Sequence, residues 1–445
     1  MRGWRLYAAV AVAVAVAAAA ALLLTHRGGG TAASSAAGPR ACGSGPAVMV
    51  VYEKGQEKLA SVVQELLSRQ LAGLLPNGTR FCNATAEAAG LRGLRVYPAI
   101  LVRAGNVSGE LARALLNETL PGGWRPLRYD YTAAFETQVA LRLGLPRPSY
   151  AYTAKLLVVE GDMPYATVNR DSLKPGSSIM EILSSLFAAK ITGVEYVKKP
   201  PAGVDPRELP AFYAVSQQPL DRGVPGVRRI SDNVYEVADV NITDLLLESG
   251  AVEAVEREGP PPGIEGHPAL GHGRVHIAIY EDFACPYCAR FYRDIFPEIK
   301  KLVDEGKITY HIVDLVVHLN PNVTRLHELL LCYYNRTGNA TAYLEEATRI
   351  YSKVYKLYQE GLASASQLYN SMGKLLSEEE QRLNATPDCP AASLVEEASH
   401  AAVMAGLQGT PSFAVWVEGS NKTLYILGYR DADFFRKLVD QLEKS

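Results

Sequence analysis

Apolar residues fall in short runs along this chain, and each run predicts an element. Ala47-Val-Met-Val-Val-Tyr52 is apolar throughout, as a strand buried on both faces should be. Leu59, Val62, Val63, Leu66 and Leu67 then recur at the spacing of one helix face. A strand near Thr79 to Cys82, a short helix over Ala84 to Leu91 and a strand over Arg95 to Val102 complete a first β-α-β-α-β order. A second series follows: a strand at Lys155 to Val159, a helix over Ser178 to Lys190 with Ile179, Ile182, Leu183 and Leu186 on one face, a strand at Gly193 to Val197, and the apolar stretch Glu208 to Val215. In the third, Val275, Ile277 and Ile279 alternate as in a strand, and Phe291, Tyr292, Ile295 and Phe296 return at helical spacing. Lys307 to Val317 reads as the next strand. Asn322 to Leu407 is helical in pattern, most clearly where Tyr343, Ala347, Ile350, Val354 and Leu357 share a face. Ser377-Glu-Glu-Glu380 predicts a capping box that starts a further helix. Strand Thr423 to Leu427 and a helix over Asp431 to Leu442, with Phe434, Phe435, Leu438 and Val439 inward, end the chain.

At 445 residues and 48% hydrophobic, the chain is too long for one core. The net charge of −2 and the lack of a basic stripe argue against a nucleic-acid partner. Leu6 to Leu24 is an unbroken apolar run of 19 residues between Arg2, Arg5 and His26, Arg27. It is long enough to span a bilayer with the N-terminus inside, and a retained single-pass anchor is favoured over a cleaved signal ending near Ser35-Ala36-Ala37. The bulk of the chain is then extracytoplasmic, at a cell membrane, or secreted if cleavage occurs. Six cysteines suit an oxidising compartment. Ten Asn-x-Ser/Thr sequons, at Asn77, Asn83, Asn106, Asn117, Asn241, Asn322, Asn335, Asn339, Asn384 and Asn421, suit a glycoprotein.

The candidate chemistry lies in Tyr280-Glu-Asp-Phe-Ala-Cys285-Pro-Tyr-Cys288, at a predicted strand-to-helix junction. Pro286 suits the first turn of a helix, where a missing N–H costs nothing. The unpaired N–H groups and partial positive charge of a helix start favour a thiolate on Cys285, the reactive form of cysteine. Cys288, nearly one turn further on, is close enough to resolve a mixed disulfide on Cys285. A zinc site would need two more ligands. No second Cys-x-x-Cys occurs, and His267, His272 and His276 lie in a Pro/Gly stretch and a strand start, so no metal or other cofactor is assigned. A structural disulfide across so short a loop would remove little chain entropy. Glu281 and Asp282 flank the pair, either as proton carriers for Cys288 or as solvated loop charges.

Gly406-Leu-Gln-Gly409-Thr410-Pro411-Ser-Phe413 sets a Thr-Pro directly before an apolar strand. With the Cys-Pro-Tyr-Cys turn it resembles the thioredoxin superfamily, and more closely the DsbA-like thiol:disulfide oxidoreductases. The resemblance covers residues 274–445 and implies an α/β thioredoxin fold with an all-helical insertion at about 320–407. It implies Cys285 as nucleophile, Cys288 as resolving thiol, Pro411 as a cis proline and Thr410 as the residue whose backbone meets the substrate chain, with Pro286 and Tyr287 also facing substrate. Upstream, the first β-α-β-α-β order looks like the opening half of the same fold, with Pro98 where a cis proline would fall. Tyr-Pro98-Ala-Ile, Leu-Pro210-Ala-Phe and Thr-Pro411-Ser-Phe share a pattern. The expected organisation is an anchor at 6–24, a Gly/Ala/Ser tether at 25–45, thioredoxin-like domains without a redox pair at 46–147 and 148–258, a Pro/Gly linker at 259–273 and a catalytic domain at 274–445.

Six cysteines allow 15 pairings. With one pair closed within each domain, Cys42 bridges Cys82 and Cys332 bridges Cys389. The expected activity is thiol-disulfide exchange that forms or isomerises disulfides in exported, unfolded or thiol-containing proteins. The alternatives are an exported reductase for a dedicated acceptor, and a chaperone-like binding module with incidental exchange. The dipeptide Pro286-Tyr287 lacks the histidine of the best-known oxidases that the resemblance brings in, which points to a less oxidising couple. The resemblance also implies a quinone-linked membrane oxidase of the DsbB or VKOR type as partner. The upstream units would bind substrate or form a homodimer.

Overall fold

The computed structural model describes residues 42–444 apart from 72, 106, 108, 362 and 363. The apolar run at 6–24, most of the tether at 25–45 and the sequon at Asn106 lie outside the described residues. Among the described residues no helix is long and apolar enough to cross a membrane. Two compact units form. The first runs to Val159 and adds Asn169–Asp205 and Ala211–Leu245; the second takes Glu160–Val168, Pro206–Pro210 and Leu246–Ser445.

The first unit holds two larger sheets and a two-stranded one, Val96–Tyr97 with Ser149–Tyr150. One of the larger is ordered Arg80–Thr85, Ala47–Tyr52, Ala99–Arg103, Arg125–Pro126; the other Val227–Ser231, Val234–Val237, Ala211–Val215, Thr153–Val159, Lys190–Val197. The expected boundary at 147/148 does not divide compact units. Helix Tyr129–Leu143 packs on helix Ser178–Phe187 across it. Buried Arg95 also donates to the carbonyls of Phe187, Ala188, Leu220 and Arg222. A buried guanidinium needs all its donors engaged, so this one residue fixes both halves together. Cys42 and Cys82 are disulfide-bonded here. The peptides before Pro98, Pro210 and Pro411 are all cis, and the expected strands over 95–102 and 208–215 are interrupted at the first two.

In the second unit we label β1 (Val255–Glu258), β2 (Ala269–Gly271), β3 (Val275–Glu281), α1 (Pro286–Asp294), α2 (Phe296–Asp304) and β4 (Ile308–Asp314). There follow α3 (Pro321–Thr337), α4 (Ala340–Gln359), α5 (Ala365–Leu383), α6 (Ser393–Met404), β5 (Ser412–Val417), β6 (Lys422–Leu427) and α7 (Ala432–Leu442). The sheet is ordered β2-β4-β3-β5-β6-β1, ending on the two-residue strand Glu208–Leu209. Central β3 is parallel to β4 and antiparallel to β5. It is buried on both faces, which is why it is so apolar. Ile277 and Ile279 enter the core that holds Phe291, Phe413 and Phe435, while Ala278 and Tyr280 pack with Ala398 and Ala402 of α6. The four helices α3 to α6 lie between β4 and β5 in the chain, and Cys332 is bonded to Cys389 among them.

Three further expectations need correction. Residues 259–273 are not a spacer but part of this unit, and β1, assigned to the preceding domain, is a strand of its sheet. Tyr280 Oη donates to the Pro262 carbonyl at 2.6 Å, and β2 pairs with β4. Gly263 has φ +66, and a Cβ there would lie 2.7 Å from Ala398 Cα. Gly273 abuts Lys307, where a Cβ would meet the carbonyl carbon at 2.2 Å. These glycines mark close packing, not slack. The capping box at Ser377 is absent, because α5 runs through it and Ser377 Oγ donates back to the Gly373 carbonyl at 3.2 Å. The cap is Ser364, whose hydroxyl accepts from Gln367 N.

Candidate active site

Strand β3 ends at Glu281, and a turn of three residues leads to Cys285, the extended N-cap of α1 (φ −83, ψ 123) with Pro286 in the first turn. Several polar backbone groups of that turn are held. Phe283 N donates to His327 Nε2 at 2.9 Å, Ala284 N to Asp282 Oδ1 at 2.7 Å and Cys285 N to the Asp282 carbonyl at 2.9 Å. Tyr358 Oη of α4 donates to the Ala284 carbonyl at 2.7 Å. A turn bonded at these points presents its sulfur in one place.

The Cys285 thiol donates to the Thr410 carbonyl at 3.1 Å, so the loop of the cis Thr410–Pro411 peptide faces the pair. Gln56 repeats this arrangement in the first unit, where Nε2 at the start of helix Glu57–Gln70 donates to the carbonyl of Tyr97, before cis Pro98, at 2.9 Å. There an amide stands where the second unit has a thiol.

Both thiols are free. Cys285 keeps 4% of its surface and Cys288 none, so any partner reaches only the first sulfur, and by a narrow approach. The Cys285 pKa is pulled down to about 6, first by the hydrogen bond from Cys288, against the opposing effect of burial, then by the Thr410 hydroxyl and the N–H groups of Cys288 and Tyr287. Burial and the neighbouring Cys285 push the Cys288 thiol well up. Such a split sets one sulfur to ionise and the other to stay protonated. Pro286 is half-buried, and Tyr287 is 56% exposed beside them.

The two acids flanking the pair are both buried, so neither is a solvated loop charge. They differ in kind. Burial raises the Glu281 pKa well above the usual carboxylate range, its Oε2 accepts from Tyr292 Oη at 2.6 Å, and its charge, when ionised, adds to what raises the Cys288 thiol. Burial also opposes ionisation of Asp282, but His318 and neighbouring N–H groups win and lower its pKa. Its carboxylate accepts from Ala284 N, Val317 N, His318 N and His318 Nδ1. These four bonds tie Asp282 to both the turn and the loop at His318.

Three residues absent from the sequence reading, Asp314, His318 and His327, complete the site together with His267, which was weighed there only as a zinc ligand. His267 Nδ1 lies 3.1 Å from the Glu265 carbonyl and Nε2 3.1 Å from Asp314 Oδ2. Both partners only accept, so the ring donates from both nitrogens and is an imidazolium. Burial disfavours that charge, but the Asp314 carboxylate raises the ring's pKa. Asp314 in turn is held well below its ordinary pKa, against burial, by His267 and His327. His327 accepts from Phe283 N on Nε2 and therefore donates from Nδ1 to Asp314 Oδ1 at 2.6 Å. The signal for Asp314 and His318 was the C-terminal end of the predicted strand Lys307 to Val317, since in such sheets strand ends face the site. The histidines weighed as zinc ligands separate, His267 going to Asp314 and His276 to His311 at 3.0 Å.

Residues 267–421 match the family model described as Thioredoxin, so this part of the chain is a thioredoxin-like domain. Over 60 residues the chain is 37% identical to a protein named Disulfide bond formation protein D, from Bacillus subtilis (strain 168); the match covers 13% of this chain and spans 27% of that relative's length. Among solved structures it is similar to alpha-DsbA1 of Wolbachia pipientis, at 20% identity over 40% of this chain and 92% of that one, with a TM-score of 0.32. It is also similar to oxidised BdbD of Bacillus subtilis, at 20% identity over 42% and 98%, with a TM-score of 0.30.

Proposed function

We propose that the chain is a thiol-disulfide oxidoreductase that forms or isomerises disulfides in exported proteins through Cys285 and Cys288. The observation that carries this is the split between the two sulfurs: one ionisable and just reachable against the Thr410–Pro411 loop, the other fully buried behind it. In the oxidised enzyme a substrate thiolate attacks Cys285 Sγ. The Cys285–Cys288 bond breaks, and its electron pair leaves on Cys288. Protonated Glu281 supplies the proton that this buried thiolate needs. A second substrate thiolate attacks the substrate sulfur of the mixed disulfide and releases Cys285 as a stable thiolate. Two substrate thiols have become a disulfide, and the pair holds two electrons. A membrane-bound quinone-linked oxidase is the class of partner that would remove them, and the run at 6–24 would keep the chain beside it as an anchored, extracytoplasmic protein. Exposed Tyr287 and Leu319 offer apolar contact to an unfolded chain.

The test is turnover of a reduced, unfolded protein by the full chain with excess oxidised glutathione, together with the equilibrium potential of the pair. Catalysed disulfide formation abolished by Cys285→Ser supports the reading. Equal rates with and without Cys285 would reduce the protein to a binder. A potential near about −270 mV or lower would make it a reductase, while about −120 to −180 mV fits oxidation or isomerisation.

A further inference from the structure

We propose that His318, fixed by Asp282 in the loop after β4, is the cation that stabilises the Cys285 thiolate. The inference rests on the pair being redox-active. Pro286 and Tyr287 bring no charge between the cysteines, so any positive side chain must come from elsewhere in the fold. His318 donates from its backbone N at 2.8 Å and from Nδ1 at 3.0 Å to Asp282 Oδ2, which also takes Val317 N at 2.8 Å. Asp282 is at the same time the acceptor for Ala284 N and, through its carbonyl, for Cys285 N. One residue therefore ties the loop that carries the imidazole to the turn that carries the sulfur.

With Nδ1 donating to a carboxylate, Nε2 is left to take up or release a proton, and the side chain is 29% exposed, so water supplies it. Among the described residues the titratable groups beside Cys285 or its turn include Cys288 and Tyr287 on its own helix, Asp282 in the turn, His327 from α3 against Phe283, Tyr358 from α4 and His318. Of these only His318 can gain a positive charge without losing a bond in place, since His327 accepts Phe283 N on Nε2. The Asp282 charge is taken up by four donors and sets little against the thiolate. Asp282 and, to a smaller degree, Cys285 raise the His318 pKa against burial; the coupling is reciprocal, so an imidazolium there favours the thiolate, behind the larger effects of Cys288, Thr410 and the N–H groups of Cys288 and Tyr287. When the mixed disulfide is resolved, the electron pair stays on Cys285 facing this charge, and no proton has to move. The reduced form gains and the couple becomes more oxidising.

His318→Asn keeps a donor for Asp282 but removes the charge. We expect the midpoint of Cys285 alkylation to rise by about one pH unit, and the equilibrium with glutathione to move about tenfold toward the disulfide, which is about 30 mV. A role confined to holding the loop would change the melting temperature and leave both values in place, and that result overturns the proposal. A second measurement needs no variant. In the wild-type protein the NMR titration midpoint of His318 should be higher with the pair reduced than with it oxidised, and equal midpoints overturn the proposal. Neither experiment uses a protein substrate. A chain that equilibrates normally with glutathione but oxidises no protein would therefore defeat the proposed function and leave this inference standing.

Discussion

Replacing Cys288 by alanine isolates the largest influence on the reactive sulfur. Cys285 has a pKa of about 6 against an ordinary 9.0; at 1.36 kcal/mol per pH unit this is a preference of about 4 kcal/mol for the thiolate. The hydrogen bond from Cys288 is the leading cause, and bonds to charged acceptors contribute about 1.5–3 kcal/mol. Its removal should raise the Cys285 pKa by about 1 to 2. At pH 6 the wild-type sulfur is about half ionised, so alkylation by iodoacetamide at that pH should slow by about 5- to 50-fold in Cys288→Ala. Both rates should converge above pH 9, where ionisation no longer limits the reaction. Cys288→Ser keeps a donor at the same place and should recover most of the rate. The assay is the pH profile of alkylation, with thiolate absorbance at 240 nm as an independent readout. An alkylation midpoint still near pH 6 in Cys288→Ala would refute the reasoning and assign the low pKa to the other groups around the sulfur.

Three further outcomes follow from groups away from the sulfurs. Asp314→Asn leaves the His267 imidazolium buried without its counter-charge and should cost about 3–5 kcal/mol in chemical denaturation. Asp314, with a lowered pKa, contributes above about pH 4, and His267, with a raised one, contributes fully below about pH 6.5, so the gap to wild type should be widest between those limits and shrink on both sides. Glu136 of the first unit is fully buried with no hydrogen-bond partner for either oxygen among the described residues, and burial raises its pKa well above the carboxylate range. Its neutral form is tolerated below about pH 4.3 and stability is lost as pH rises from there, so Glu136→Gln should melt higher than wild type, by a margin that grows from pH 5 to pH 8. Removing the Cys332–Cys389 bridge by a double alanine substitution, across a separation of 57 residues, should cost about 4 kcal/mol. Equal denaturation midpoints would show that the helical insertion holds its shape without it.

Local rules made much of this molecule legible. The apolar run of β3, the Cys-Pro start of α1 and the Thr-Pro before β5 are each set by a few neighbouring residues, through strand burial, the tolerance of proline at a helix start and the placement of proline beside a strand. Composition misled where it stood in for packing. Pro and Gly from 259 to 273 signal a linker, but a glycine chosen for close approach to Ala398 looks the same in sequence as one chosen for flexibility. A boundary at 147/148 was plausible only because Arg95 and the four carbonyls it binds are far apart in the chain.

Glu281 and Asp282 show most directly what sequence determines and what it leaves to the fold. Order along the chain put both beside the thiols and gave them equal standing. The three-dimensional structure separated them, sending Glu281 into the core, where burial raises its pKa, and wrapping Asp282 in donors from the turn and the loop at His318, which lower its own. A side chain's charge state depends on the free energy of its surroundings, and those surroundings come from residues that only folding brings near. Residue identity and spacing therefore located the two thiols, and tertiary contacts decided which groups surround each of them.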